Sequence, residues 1–197
     1  RPAERWRWVK NGYELLRDRG IPLNPKSIEL YREMARIFQH KIAGVTDEAH
    51  KYYKLQLALA MEGLVAQPTH LYFEKLAGAP EQWGELLKDS AVTEIVEALK
   101  AADGTFGDMD SFSSKYLLLR RKPNVFDPGA MDVLDNYRNT KALEKLDVFA
   151  RAWQLRNVWK LDPELMQELN HAYGPVSADA IDLRDPLDWR HPDTHAL

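Results

Sequence analysis

From Arg5 to Leu59 the sequence reads as three amphipathic helices joined by very short turns. Trp6-Arg7-Trp8 opens the first, and Gly20-Ile21-Pro22-Leu23-Asn24-Pro25 divides it from the second. Ala43-Gly44-Val45-Thr46-Asp47 divides the second from the third. Short turns force neighbouring helices to pack antiparallel, and stacked antiparallel pairs are how helical-repeat scaffolds are built. Such scaffolds usually bind other macromolecules and seldom do chemistry. The first expectation is therefore a binding protein.

Helix punctuation recurs along the rest of the chain. Asn24-Pro25, Asp127-Pro128 and Asp162-Pro163 each place a capping side chain before a proline. The Asn or Asp oxygen accepts from a free backbone N–H, and proline at the first helical position sacrifices no hydrogen bond there. Thr46, Ser90 and Thr140 read as further N-caps, and Gly174 as a helix stop. Apolar residues between these marks recur every three or four positions. Leu30, Met34, Ile37 and Phe38 form one face, and Ala49, Tyr53 and Leu57 another. Ile95, Leu99 and Ala102 continue the pattern, as do Leu143, Leu146, Ala150, Trp153 and Leu155. The spacing predicts helices over 4–19, 26–41, 47–62, 69–77, 81–88, 91–102, 112–121, 128–138, 141–160 and 164–173. The expected class is all-α, a single helical domain over 1–197. It comprises antiparallel helix pairs over 5–62, divergent helices over 63–173 and an extended arm over 174–197.

Several classes of function are disfavoured by composition. A chain of 197 residues buries roughly 70% of its unfolded surface and needs no disulfide or metal to fold. Cysteine is absent, which removes disulfides and thiol chemistry. No apolar run approaches the roughly 20 residues that span a bilayer, and no signal-peptide pattern opens the chain. It starts at Arg1 without methionine, and the expectation is a piece of a longer protein whose flanking segments complete the fold. The net charge of −3 hides an asymmetry, because residues 1–60 carry 12 basic and 7 acidic residues and are positive by five. Nucleic-acid binding calls for a denser basic stripe, so the expected partner is a protein or peptide.

Residues 25–57 resemble a tetratricopeptide repeat. Pro25 sits where such a repeat ends, and Tyr31 is the early aromatic of the next first helix. Met34-Ala35 is the large-then-small pair, Phe38 the aromatic one turn on, and Ala49 and Tyr53 the small and aromatic positions of the second helix. Taken whole, the chain resembles uncharacterised tetratricopeptide-like helical-repeat proteins of planctomycete-type bacteria. Trp8-Val9-Lys10-Asn11-Gly12, the run Leu15–Pro25, Phe38-Gln39-His40-Lys41-Ile42, Tyr52-Tyr53-Lys54-Leu55 and Asp185–Pro192 carry that likeness. It implies a solenoid with further repeats before Arg1 and another helix after Leu197, and it brings no activity with it.

Candidate binding residues follow from the same segments. Arg32, Arg36, Lys41 and Lys54 lie on the helices rich in aromatics and suit an acidic peptide. In the arm, Trp189 beside Asp188 and Arg190 suits docking, since a ring is buried while its charged neighbours find partners. His191 and His195, four apart with Asp188 nearby, are the metal candidate, and a metal-binding or enzymatic module built on that arm is the alternative function. Asp103–Asp110 has the wrong order of acids and glycine for a calcium loop. Leu119-Arg120-Arg121-Lys122-Pro123 puts cations at a helix C-terminus, where they complement the dipole. The seven aromatics of the first third (Trp6, Trp8, Tyr13, Tyr31, Phe38, Tyr52 and Tyr53) are expected mostly in the core. No phosphate loop, nucleophile elbow or triad spacing is present, so no catalytic residue and no cofactor is assigned. A segment of a large envelope-associated assembly is a third expectation.

Overall fold

The computed structural model describes residues 1–65 and 69–173. Every regular element among these is helical. The three-to-four spacing gives each segment a stripe to bury along one side of a helix, which is why the all-α expectation holds. The chain forms two compact units, Arg1–Gly63 with Val158–Lys160, and Leu64–Asn157 with the described residues from Leu161 onward.

The first unit begins with α1, Pro2–Leu15, which widens into a π turn over Leu16–Gly20 and runs straight on into α2, Ile21–Leu23. The sequence reading broke this helix at Gly20. It continues because Pro22 follows a widened turn, in which the N–H of Ile21 reaches back to the carbonyl of Leu16 and the usual clash of a proline ring with the preceding turn is relieved. The reversal comes at Asn24 instead. Asn24-Pro25 is not a cap, since α3, Ile28–Arg36, starts after Ser27 and no side chain caps it. A second π segment, Ile37–Ala43, carries α3 to Gly44. A Cβ on Gly44 would lie 2.7 Å from the carbonyl oxygen of His40, so only glycine fits this close exit from the helix. The next helix, α4, His50–Glu62, starts three residues later than expected. Thr46 does not cap it. The Asp47 carboxylate accepts from the N–H of Ala49 at 2.9 Å.

The core of this unit is small and aromatic. Tyr13, Ile42, Ala49 and Tyr53 are buried, with Trp6, Ile37, Phe38, Leu57 and Trp159 packed around them. Trp6 stacks on Tyr53 at 5.9 Å between centroids, and Tyr13 stacks on Trp159 at 6.2 Å.

The second unit consists of α5 His70–Ala77, α6 Trp83–Leu86, α7 Ser90–Ala102, α8 Met109–Arg121, α9 Pro128–Asn136, α10 Lys141–Gln154 and α11 Pro163–Tyr173. Short 3-10 turns at Gly104–Gly107 and Pro123–Val125 flank α8. Helix α10 is central, packing on α5, α7 and α8, while α9 lies on α7 and α11 on α5. Seven of its residues, among them Leu143, Leu146 and Phe149, are buried. Around Phe149 the rings of Trp83, Phe112, Phe106 and Phe126 form a continuous chain of contacts. The Arg156 guanidinium donates to the carbonyls of Ala77, Ala79 and Pro80, fixing the turn after α5.

Capping follows the sequence closely here. Asp127, Thr140 and Asp162 accept from the first free N–H groups of α9, α10 and α11 as expected. At α7 the cap is Asp89, which accepts from Ala91, and Ser90 is already the first helical residue.

Candidate protein-interaction surface

Helix α3 buries none of its residues fully. Leu30, Met34 and the following Ile37 lie on one side and are half-buried, as the apolar spacing predicts. On the opposite side Ile28, Tyr31, Arg32 and Ala35 fall at i, i+3, i+4 and i+7, one stripe of the helix. All four are exposed, Ile28 at 68% and Tyr31 at 49%. The phenol of Tyr31 donates to the carbonyl of Pro25 at 3.2 Å, which holds the ring against the surface. The helix therefore carries two large apolar side chains, Ile28 and Tyr31, on the side away from the core.

The other helices of the unit share this excess. Trp8 and Leu15, seven apart on α1, are 71% and 60% exposed, and Leu55 and Leu59, four apart on α4, are 53% and 47% exposed. Of the seven aromatics expected in the core, Tyr13 and Tyr53 are buried, Trp6, Phe38 and Tyr52 are half-buried, and Trp8 and Tyr31 face solvent.

The candidate cations differ in what they already hold. Arg36 makes a two-pronged pair with Glu33, at 2.7 and 2.5 Å, and that hydrogen bonding keeps the Glu33 carboxyl below its usual range. Lys41 lies 3.7 Å from Asp47, and the Lys54 ammonium approaches the His50 ring at 3.4 Å. Arg32 alone of the four shows neither an ion pair nor a side-chain hydrogen bond among the described residues. Its position beside Tyr31 makes it the cation best placed for a partner. Trp189, Arg190, His191, His195 and Asp188 lie outside the described residues.

Other sequence features find structural roles. Asp103 accepts from the N–H of Thr105 at 2.8 Å and from that of Asp127 at 2.9 Å, and both contacts hold its carboxyl below the usual range. Asp108 caps α8 through Asp110 and accepts from the Ser111 hydroxyl. The carboxylates of Asp103 and Asp108 in the calcium-like loop are thus committed to backbone and hydroxyl donors. Arg120 and Arg121 sit in the last turn of α8, as the dipole argument expects.

A cleft of about 470 Å³ opens in the second unit between Pro80, Leu86 and Val148. The ion pairs Lys75–Glu144 and Lys145–Asp89 line it. Its lining holds no histidine, serine or threonine. Among the described residues no three metal-ligating side chains converge, and no helix is long and apolar enough to cross a membrane.

Two features escaped the sequence reading. The exposure of Ile28 and Tyr31 on α3 has no clear sequence signal, because the spacing points only to the face of Leu30, Met34 and Ile37. The approach of His70 to His171, within 3.0 Å, has no local signal, because only the packing of α11 on α5 creates it.

No family model, curated protein or solved structure matches this chain.

Proposed function

We propose that this chain is a non-enzymatic helical module that binds another protein through the exposed stripe Ile28, Tyr31 and Arg32 of α3. One observation carries the reading: a unit with only four buried core residues leaves Trp8, Leu23, Ile28, Tyr31, Leu55 and Leu59 exposed. Scattered exposed apolar residues are ordinary, but aligned stripes on several helices of so small a unit mark a surface that is covered in use. Tyrosine, tryptophan and arginine are also the residues that dominate binding energy at protein interfaces. Arg32, which makes no ion pair among the described residues, favours a partner segment carrying a carboxylate among apolar residues.

The finer architectural reading belongs to this proposal. Stacked antiparallel pairs of tetratricopeptide type, as in the planctomycete-type bacterial proteins that the sequence resembles, present such a stripe either to a bound peptide or to the next repeat. A flanking segment of the same chain is then the rival occupant.

Photo-crosslinking in the native host tests the proposal. A photoreactive residue at position 28 or 31 should capture one discrete protein, and the same residue at exposed Asp135 should not. Capture confined to the chain's own flanks would assign the stripe to repeat stacking. Equal, diffuse labelling at all three positions would refute a specific surface.

A further inference from the structure

We infer that His70 and His171 form a two-nitrogen site for a borderline divalent cation, copper(II) or nickel(II), bridging α5 and α11. Their Nδ1 atoms lie 3.0 Å apart. The ring planes tilt by 38° and the centroids are 4.6 Å apart. The nitrogens therefore do not meet head-on, and their lone pairs lie off the line between them, as two ligands of one ion require. With metal–nitrogen bonds of about 2 Å, this separation gives a nitrogen–metal–nitrogen angle of about 95°. That is the cis angle of a square-planar or octahedral ion, whereas tetrahedral zinc would set the nitrogens about 3.4 Å apart.

The surroundings fit a cation. On the far side of the His171 ring, Nε2 lies 3.4 Å from a Glu74 carboxylate oxygen. A carboxylate on that side favours the tautomer with the proton on Nε2, which leaves Nδ1 free to bind. Glu168, one turn before His171, lines the same surface depression as that ring, together with Glu164. His70 Nε2 is buried without a partner, and it is the nitrogen that carries the proton when Nδ1 ligates. Without a metal the two Nδ1 atoms lie within hydrogen-bonding distance of each other. Since no third protein ligand converges among the described residues, water completes the coordination. The expected site is accordingly exchangeable and of modest affinity, and it staples two helices whose sequence positions are far apart.

Titration of the whole chain with copper(II) alone, followed by calorimetry and by electron paramagnetic resonance, tests this. One ion per chain should bind with two-nitrogen hyperfine structure. His70→Gln and His171→Gln should each weaken binding at least about tenfold, and Glu74→Gln by a similar factor. The double variant His191→Gln/His195→Gln should keep the site. In the unaltered protein, substoichiometric copper(II) should selectively broaden the ring proton signals of His70 and His171, a readout that needs no variant to fold. Binding retained in His171→Gln, or broadening confined to other histidines, would overturn the inference.

Discussion

The Arg17 guanidinium lies 5.3 Å from the ring centroid of Trp159 and 5.7 Å from that of Tyr13. Arg17 is only 8% exposed, and a buried charge is tolerated only when it is paired and hydrogen-bonded. Asp18 supplies the pairing through two bonds, from Nε at 2.7 Å and from the terminal nitrogen at 2.9 Å. The same bonds hold the Asp18 carboxyl below its usual range. Arg17→Met should therefore destabilise the first unit by about 1–3 kcal/mol, the worth of charge-assisted bonds and cation–ring contacts. Arg17→Lys should recover only part of this, since an ammonium lacks the planar fork. Urea denaturation of the three proteins measures it, and an Arg17→Met midpoint equal to wild type would show that the cluster contributes nothing.

Asp47 makes the first unit acid-sensitive. Its carboxylate accepts from the Ala49 N–H and lies 3.5 Å from Arg5 and 3.7 Å from Lys41. The backbone bond first, and then the cations, hold its pKa below the usual value. A carboxyl depressed in the folded state contributes stability that is present above the unfolded pKa of about 4 and is lost as pH falls through the folded value. Thermal midpoints should fall below about pH 4, and Asp47→Asn should flatten that decline while lowering the plateau at neutral pH. An unchanged acid slope in Asp47→Asn would assign the sensitivity to other carboxyls.

How far the sequence reveals this molecule depends on the range of the interaction involved. The all-α class, the caps Asp127, Thr140 and Asp162, and the core positions Leu99, Leu143 and Leu146 all stem from local periodicity or from one side chain meeting its own helix. The first unit was less legible. Pro22 and Gly20 look like breakers by propensity, yet a widened turn absorbs both, and no spacing rule reports a π turn. Exposure was hardest to read, because Tyr31 and Tyr53 are alike in sequence context, and whether a ring is covered depends on how many neighbours the fold supplies. Asp89 and Ser90 are both good cappers, so only backbone geometry decides between them.

Asp103 links two turns that local sequence keeps apart. One carboxylate oxygen holds Thr105 and the other holds the N–H of Asp127, the residue that in turn caps α9. Asp103→Ala should destabilise the second unit, since two backbone donors lose their acceptor. Asp103→Asn should cost less, because its amide oxygen can still serve one of them. Amide exchange should speed up selectively at Thr105 and Asp127. Acceleration spread evenly over the second unit would mean that the carboxylate acts only through global stability.

Alkali should probe the aromatic core. Burial, reinforced by the charge of Glu14, pushes the Tyr13 phenol up to about 12, and burial likewise raises Tyr116 beneath Asp147. The unfolded phenol ionises near 10, so between these values the folded state holds a proton that the unfolded state releases. Stability is then intact below about pH 10 and falls as pH rises, by up to about 1.4 kcal/mol per pH unit for each such tyrosine. Tyrosinate absorbance should appear in two stages, exposed phenols first and buried ones together with unfolding. Tyr13→Phe should make the alkaline decline shallower, and a single smooth titration without unfolding would contradict the burial of both rings.

Binding and stability should separate on α3. Ile28 and Tyr31 are exposed, so replacing them removes no core contact, and serine has nearly the helix propensity of isoleucine and tyrosine. Ile28→Ser with Tyr31→Ser should shift folding stability by no more than about 1 kcal/mol, part of it the lost bond to Pro25. Partner capture should nevertheless fall about tenfold or more, because truncating an aromatic and an aliphatic anchor at an interface centre typically costs above 1 kcal/mol each. Arg32→Glu should reduce capture further by placing like charge against an acidic segment. Tyr31→Phe separates the ring from its hydroxyl: capture retained there but lost in Tyr31→Ser would identify the apolar ring as the anchor. If all these variants bind as wild type does while folding normally, the α3 stripe is not the contact surface, and the remaining exposed pairs, Trp8 with Leu15 and Leu55 with Leu59, become the ones to alter next.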